Sequence, residues 1–263
     1  MQEAFTVVFG NITGGFVWAG KAYGEFIFSR VSLREYIEHF QTYHPDILSL
    51  SEIHLEDAEG NSEMVTRLSR ELQLPYTACF AQSPSPLDTS KLAGLAVLSR
   101  FPIISQETFL LPNPRLEYDR ADGAHWVMFD KGAQRLSLAL EDRRLDLVNL
   151  HYFPFHHFGR QANEADFAHV RHELVNVLVG SRQAPVIVTG DFNNKGFSLP
   201  LAMPELFAND LFRETVVAET TVIGLHEQFD HILYTPATLR CLSSFVTTSF
   251  SDHLLVVARM SSI

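Results

Sequence analysis

Val186-Ile187-Val188-Thr189-Gly190-Asp191-Phe192-Asn193 is the stretch on which the reading of the fold turns. A strand-length run of apolar and β-branched residues enters Gly190, and two oxygen-bearing side chains then flank an aromatic ring. In extended chain Asp191 and Asn193 share one face, and Phe192 can pack inward. A turn is the plainer alternative, but a rigid strand that delivers two polar groups to its own end suits a site better.

Similar short runs recur at Phe5–Phe9, Ile47–Leu50, Leu95–Leu98, Leu136–Leu140, Leu145–Leu150, His231–Tyr234 and Leu254–Ala258. Three helical patterns lie between them. Ser32–Thr42 carries Leu33, Tyr36, Ile37 and Phe40 behind a Ser cap; Ser62–Leu72 carries Met64, Val65, Leu68 and Leu72. Asn163–Val179 carries Phe167, Val170, Leu174, Val177 and Leu178. Strands dominate and helices come singly, which predicts two sheets packed face to face with helices outside. Gln82–Leu92 and Pro112–Asp122 are polar and contain proline, and read as loops, either plain connections or contacts above a site.

The 263 residues suffice for one large domain or two small ones. With 46% hydrophobic and 19% charged residues the chain reads as soluble and globular, not disordered. A net charge of −11 weighs against coating a long polyanion, whose affinity comes from Lys and Arg that displace its counterions. A local basic groove or a small phosphorylated substrate stays open. Cys79 and Cys241 sit in apolar stretches and are expected as small buried hydrophobes, not as a disulfide. MQEAFTVVFGN, at the start, lacks a basic segment followed by an apolar one, and no apolar run is long enough to span a bilayer. The expectation is a cytoplasmic protein without a transmembrane segment.

Polar residues fall at the ends of the runs. Asn11 ends the first, Glu52 follows Ile47–Ser51, and His151 ends Leu145–Leu150. Asp191 and Asn193 end the opening stretch, Asp230 opens the strand to Tyr234, and Asp252 and His253 precede Leu254–Ala258. Singly each has a bland reading. Glu52 can be a chain leaving the core, Asn11 a turn residue, Asp252 a cap, and His151 a half-buried histidine. Together, on strand ends at one rim, they can make a fixed site. Glu52, Asp191, Asp230 and Asp252 would then crowd one pocket. Two carboxylates about 4 Å apart repel by roughly 4 kcal/mol at an effective dielectric of about 20. Such a pocket must protonate a carboxyl, pair with a base or bind a cation. Carboxylate and amide oxygens without thiolates point to Mg²⁺, or to Mn²⁺, over Zn²⁺. The ion would also let an acidic pocket accept phosphate.

At this point the chain resembles the endonuclease/exonuclease/phosphatase superfamily, the group of pancreatic deoxyribonuclease, AP endonucleases, neutral sphingomyelinases, inositol-polyphosphate 5-phosphatases and deadenylases. GDFN at Gly190–Asn193 and SDH at Ser251–His253 are the most specific pieces, supported by FDHILY at Phe229–Tyr234, NLH at Asn149–His151 and GLAVLSRFPI at Gly94–Ile103. The resemblance implies a four-layer α/β/β/α sandwich, two packed mixed β-sheets flanked by helices, with residues 1–263 as one domain. It implies Glu52 as the main metal ligand with Asn11 beside it, and Asp252 near the same ion or a second. It implies an Asp230–His253 dyad that orients or deprotonates water, Asp191 as the other candidate base, and Asn193 and His151 on the scissile phosphate. The chain departs from the pattern at Ser51, where Gln is frequent, and at Gly10, where a bulky residue such as Trp is common. His151 stands where AP endonucleases carry Tyr, which makes the chain look closer to the deoxyribonuclease, sphingomyelinase and deadenylase branches.

The expected activity is Mg²⁺-dependent phosphoester hydrolysis, as a phosphodiesterase or nuclease. The phosphate-ester substrate is a nucleic acid, nucleotide, lipid headgroup or metabolite. The rivals are a phosphomonoesterase on a small metabolite, phosphoinositide or nucleotide, and a catalytically silent binding or interaction module. In the run from His151 to Arg160, His156, His157 and Arg160 could reach a phosphate, and the aromatic residues could stack on a base or line an apolar pocket. The alternative is a core-facing aromatic cluster with two exposed histidines. Zinc held by His151, His156 and His157 is a minor reading, with no Cys or HExxH pattern behind it.

Overall fold

The computed structural model describes residues 4–21, 25, 27–119, 123, 125–140, 143–180 and 185–263. Each of its two large sheets is built around a parallel pair. In the first, Phe5–Asn11 runs parallel to Ile47–Leu55. The order across it is Leu239–Thr247, Leu255–Ser262, Phe5–Asn11, Ile47–Leu55, Leu92–Ser99, Tyr76–Pro84, with the other neighbours antiparallel. In the second, Arg143–His151 runs parallel to Val186–Asp191. Its order is Arg213–Glu214, Asp230–Tyr234, Val186–Asp191, Arg143–His151, Gly132–Leu140, Ile103–Leu110, again otherwise antiparallel.

The central strands are covered on both faces, which is why they read as unbroken apolar runs. Val7 and Phe9 meet Leu145, Leu147, Ile187 and Ile232 between the sheets. Val8, Leu48 and Leu50 turn outward onto Tyr36, Phe40, Val65 and Leu68. Val148, Leu150 and Val188 turn outward onto Val170, Leu174 and Leu178. The layers are therefore helix, sheet, sheet, helix, the expected α/β/β/α sandwich. Full burial of each Val, Leu or Phe contributes roughly 1.5–3 kcal/mol, so these three clusters dominate the fold's stability.

The three long helices span Leu33–Gln41, Glu63–Leu72 and Ala168–Val179, and a single turn follows at Leu199–Ala202. Ser62 caps the second by accepting the Val65 N–H at 3.2 Å, whereas Ser32 occupies the cap position of the first without a side-chain bond to the helix backbone. The third begins later than Asn163. Arg171 donates to the Ala162 and Glu164 carbonyls and holds that segment outside the helix, which starts only after a 3₁₀ turn at Ala165–Phe167.

Two loop expectations shrink. Tyr76–Pro84 stays paired with Leu92–Ser99 as far as Pro84 opposite Leu92, so only residues 85–91 connect them; an edge strand tolerates that proline. Within Pro112–Asp122, Glu117–Asp119 pairs with His125–Val127 as a small hairpin, and residues 120–122 lie outside the described residues. Cys79 and Cys241 are free and half-buried, not fully buried, and burial pushes the Cys79 thiol up to about 12. Among the described residues no helix is long and apolar enough to cross a membrane.

Candidate active site

The two parallel pairs end on the same rim. Asn11 lies opposite Ser51 at the end of one pair, and His151 opposite Asp191 at the end of the other. Asp191 also lies opposite Asp230, so three polar residues stand side by side across three neighbouring strands. The Ile47–Leu55 strand does not stop at Ser51 as the sequence suggested. It bulges: Glu52 sits at φ 53°, its pairing register slips between Ser51 and Ile53, and the strand continues to Leu55. A non-glycine residue in left-handed backbone costs about 1–3 kcal/mol. Here the bulge aims the Glu52 carboxylate into a cavity of about 490 Å³. Gly10 has its own reason: a Cβ there would lie 2.5 Å from Leu255 Cδ2, so Leu255 fills the space a larger residue would need.

Asp191 Oδ2 is the hub. It accepts from Asn11 Nδ2 at 3.2 Å and lies 3.6 Å from His151 Nε2 and 3.9 Å from His253 Nε2. Its other oxygen accepts the Asn193 N–H at 3.0 Å; Asn193, at φ 50°, donates its side-chain N–H to the Tyr152 carbonyl at 3.1 Å. His253 Nδ1 donates to Asp230 Oδ2 at 2.8 Å. Asp252 Oδ1 accepts from the Thr13 and Ser251 hydroxyls, both at 3.1 Å. Thr13, Glu52, His151, Asp191, Asn193, Asp252 and His253 all line the cavity, whereas the buried Asn11 and Asp230 brace it from behind.

Contributors beyond the expected set are Lys131, Thr13 and Thr221. Lys131 Nζ donates to His151 Nδ1 at 3.0 Å and lies 4.0 Å from Glu52 Oε1. Because Nδ1 accepts, the imidazole proton sits on Nε2, aimed toward Glu52 and Asp191. Thr221 Oγ1 accepts the backbone N–H groups of Phe229 and Asp230 at 2.9 and 3.0 Å and so fixes the start of the Asp230 strand.

The electrostatics divide the histidines. Burial, then the Lys131 charge, holds His151 well below its ordinary range, so it is neutral. Burial would lower His253 too, but Asp230 and Asp191 outweigh it and hold the ring well above its ordinary range. Burial, helped by Asp230 and Glu52, pushes Asp191 up to about 7, although His253 opposes it. Burial lowers Lys131, and Glu52 and Asp191 only partly restore it. Asp230 Oδ1 is buried with no hydrogen-bond partner among the described residues. Four carboxylates thus face two cationic side chains, and the surplus negative charge suits a hard divalent cation. Asp191, Asp230 and His253 offer ligand atoms within 4.8 Å of one another, the one such trio among the described residues. Within that trio, Asp230 Oδ2 and His253 Nδ1 are already joined by a hydrogen bond. Glu52 and Asp252 also line the cavity and present carboxylate oxygens, the donor type that such a cation takes.

The aromatic stretch splits. Tyr152, Phe153 and Phe155 are core residues, which removes them as base-stacking surfaces. His157 and Phe158 line the cavity, while His156 packs against Phe229 at 5.2 Å. Arg160 does not line it. Its guanidinium pairs with Glu164 and Asp166 and lies over Phe167, a tie across the turn instead of a phosphate contact.

The model of the Endonuclease/Exonuclease/phosphatase family matches residues 27–253. No curated protein sequence matches the chain. Among solved structures, an endonuclease/exonuclease/phosphatase from Beutenbergia cavernae is similar at TM-score 0.71 and 16% identity, covering 98% of this chain and 72% of that one. The human Nocturnin catalytic domain is similar at TM-score 0.64 and 18% identity, covering 100% and 96%. A mannosyl-6-phosphatase from Bacteroides thetaiotaomicron follows at TM-score 0.63 and 15% identity, covering 97% and 99%.

Proposed function

Because the chain belongs to the endonuclease/exonuclease/phosphatase family, we propose that it is a Mg²⁺-dependent phosphodiesterase, with Mn²⁺ as the alternative ion. The observation that supports this reading is the hub at Asp191 Oδ2, where groups from both sheets converge beside Glu52. Glu52 and Asp252, with Asn11 behind them, would hold the ion. When bound, it would neutralise charge that grows on the phosphoryl and leaving oxygens.

The chain's own residues do the rest. Asp230 keeps His253 protonated, so in this arrangement His253 donates from Nε2. Asp191 is then the acceptor for the proton of the attacking water. The neutral His151 donates from Nε2 and Lys131 from Nζ as charge builds on the phosphoryl group. Asn193 and Thr13 fix the positions of Asp191 and Asp252. A second reading is phosphomonoester hydrolysis. Lys131 favours it, since a monoester dianion carries an additional charge for that ammonium to meet.

The test is divalent-dependent release of 4-nitrophenol from a 4-nitrophenyl phosphodiester, with 4-nitrophenyl phosphate beside it. Asp191→Ala and His253→Ala should each lower kcat by roughly 10²–10⁴-fold. Wild-type turnover that survives removal of the metal, or equal rates in the variants, would end this reading.

A further inference from the structure

We propose that the outer chamber of the same cavity binds an apolar body carried on the phosphorus, so that the substrates are phosphoesters of lipophilic alcohols or phenols and not polynucleotides. This rests on the hydrolytic reading above and narrows it. Beyond the polar floor the walls are Pro86, Leu87, Trp126, Phe129, His157 and Phe158. They come from three separate pieces of chain: the 85–91 connection, the segment from the small hairpin to residue 129, and the 3₁₀ turn Phe155–Phe158. The Trp126 and His157 rings lean on each other, with centroids 5.6 Å apart and planes at 43°, and so form one wall.

Charge makes the second half of the case. Lys131 is the sole Lys or Arg among the described lining residues, and it stands at the floor beside His151 and Glu52. That is enough cation for one phosphate. A nucleic-acid strand carries a charge at every nucleotide and is held by a row of Lys and Arg contacts. Here a second phosphate would meet aromatic rings and Glu25, and the His125 imidazole that also lines the cavity is already tied to Asp119 and Glu117. A nucleobase would press its donors and acceptors against largely apolar walls, a cost an alkyl or aryl group avoids. Open, apolar walls continuous with a catalytic floor bind the unreactive part of a substrate and so lower KM.

The experiment has two arms. In the first, calorimetry with Mg²⁺ present compares methylphosphonate and hexylphosphonate, which share the anionic end. Hexylphosphonate is expected to bind roughly tenfold tighter or more, because each buried methylene adds affinity. That contrast should collapse in Trp126→Ala and in Leu87→Ser, two variants on different elements whose folding is checked by circular dichroism. Equal affinities, no measurable binding of hexylphosphonate, or a contrast that survives in both folded variants overturns the chamber. The second arm compares methyl, hexyl and thymidin-5′-yl 4-nitrophenyl phosphates, which share one leaving group. The hexyl ester should show the lowest KM, and a lowest KM for the thymidinyl ester overturns the apolar class. Hydrolysis of none of them, with the phosphonate contrast intact, would support the chamber and sink the phosphoesterase reading instead.

Discussion

Lys131 shows how one side chain can set the chemistry of another. Its Nζ occupies the acceptor position on His151 Nδ1, which commits the imidazole proton to Nε2 on the cavity side. Nothing in the sequence distinguished this lysine. It sits between Asp130 and Gly132, and only the pairing of Gly132 with His151 brings it to the site. Gly132 itself is required there, since a Cβ would lie 2.1 Å from the Phe109 carbonyl oxygen. The carboxylates were legible because each ends or begins an apolar run. Lys131, Thr13 and Thr221 act through contacts that no local pattern announces: Thr13 reaches Asp252 from the other end of the chain, Lys131 reaches His151 across a strand pairing, and Thr221 closes a nine-residue loop onto Asp230. Replacing Lys131 by Met should let the His151 pKa rise, though burial, the larger cause, will keep it below its ordinary range. It should also lower kcat/KM by roughly tenfold or more, since a charge-assisted donor is lost. Imidazole titration by NMR checks the first part; an unmoved His151 would show that the ammonium does not control it.

At the scale of elements, the bulge at Glu52 and the turn at His156 carry the testable strain and desolvation. Glu52 holds left-handed backbone that glycine adopts freely, so Glu52→Gly should stabilise the fold by about 1 kcal/mol while abolishing metal-dependent turnover. A variant that is both less stable and still active would contradict the assignment on both counts. Burial depresses the His156 pKa to about 2. The unfolded chain therefore takes up a proton below about pH 6.5 that the folded chain refuses. Stability from this residue is complete above that pH and is lost as pH falls, by on the order of 1–2 kcal/mol at about pH 5. In His156→Phe that increment should vanish, so the urea midpoint should drop less between about pH 7.5 and pH 5 than in wild type. The elements themselves were unevenly legible. The central strands, apolar on both faces, stand out in the sequence. The outer strands Tyr76–Pro84, Ile103–Leu110, Arg213–Glu214 and Leu239–Thr247 do not, because each turns much of its length to solvent and mixes polar residues such as Gln106, Glu107 and Ser243 into the run. Glu52 was legible as a candidate but not as a bulge, since only cross-strand register reveals the extra residue.

The whole molecule matters because the site is shared between its halves. Asn11, Glu52, Asp252 and His253 come from the first sheet and its connections, and His151, Asp191 and Asp230 from the second. Both decisive contacts, Asn11 to Asp191 and His253 to Asp230, cross from one to the other. Catalytic geometry therefore depends on how the two sheets are aligned, and apolar packing between sheets is a non-directional force that sets alignment only loosely. Asn149 supplies direction. It is fully buried between the sheets, donates to the Leu50 and Ala96 carbonyls of the opposite sheet at 2.9 and 3.2 Å, and accepts from Thr189 Oγ1 at 3.3 Å. Asn149→Leu would keep the volume but lose these bonds, at about 1–3 kcal/mol. Leu174→Ala, in the outer helix layer, should cost about 2–5 kcal/mol through the cavity it leaves, yet it packs against one sheet only. The expected pattern is a dissociation. Asn149→Leu should depress kcat well below wild type under conditions where it is fully folded, whereas Leu174→Ala, the less stable of the two, should retain wild-type kcat while folded. Urea denaturation and initial rates on both variants decide it. If kcat instead tracks stability in the two proteins, alignment is set by packing alone and the buried amide is a passenger in the core.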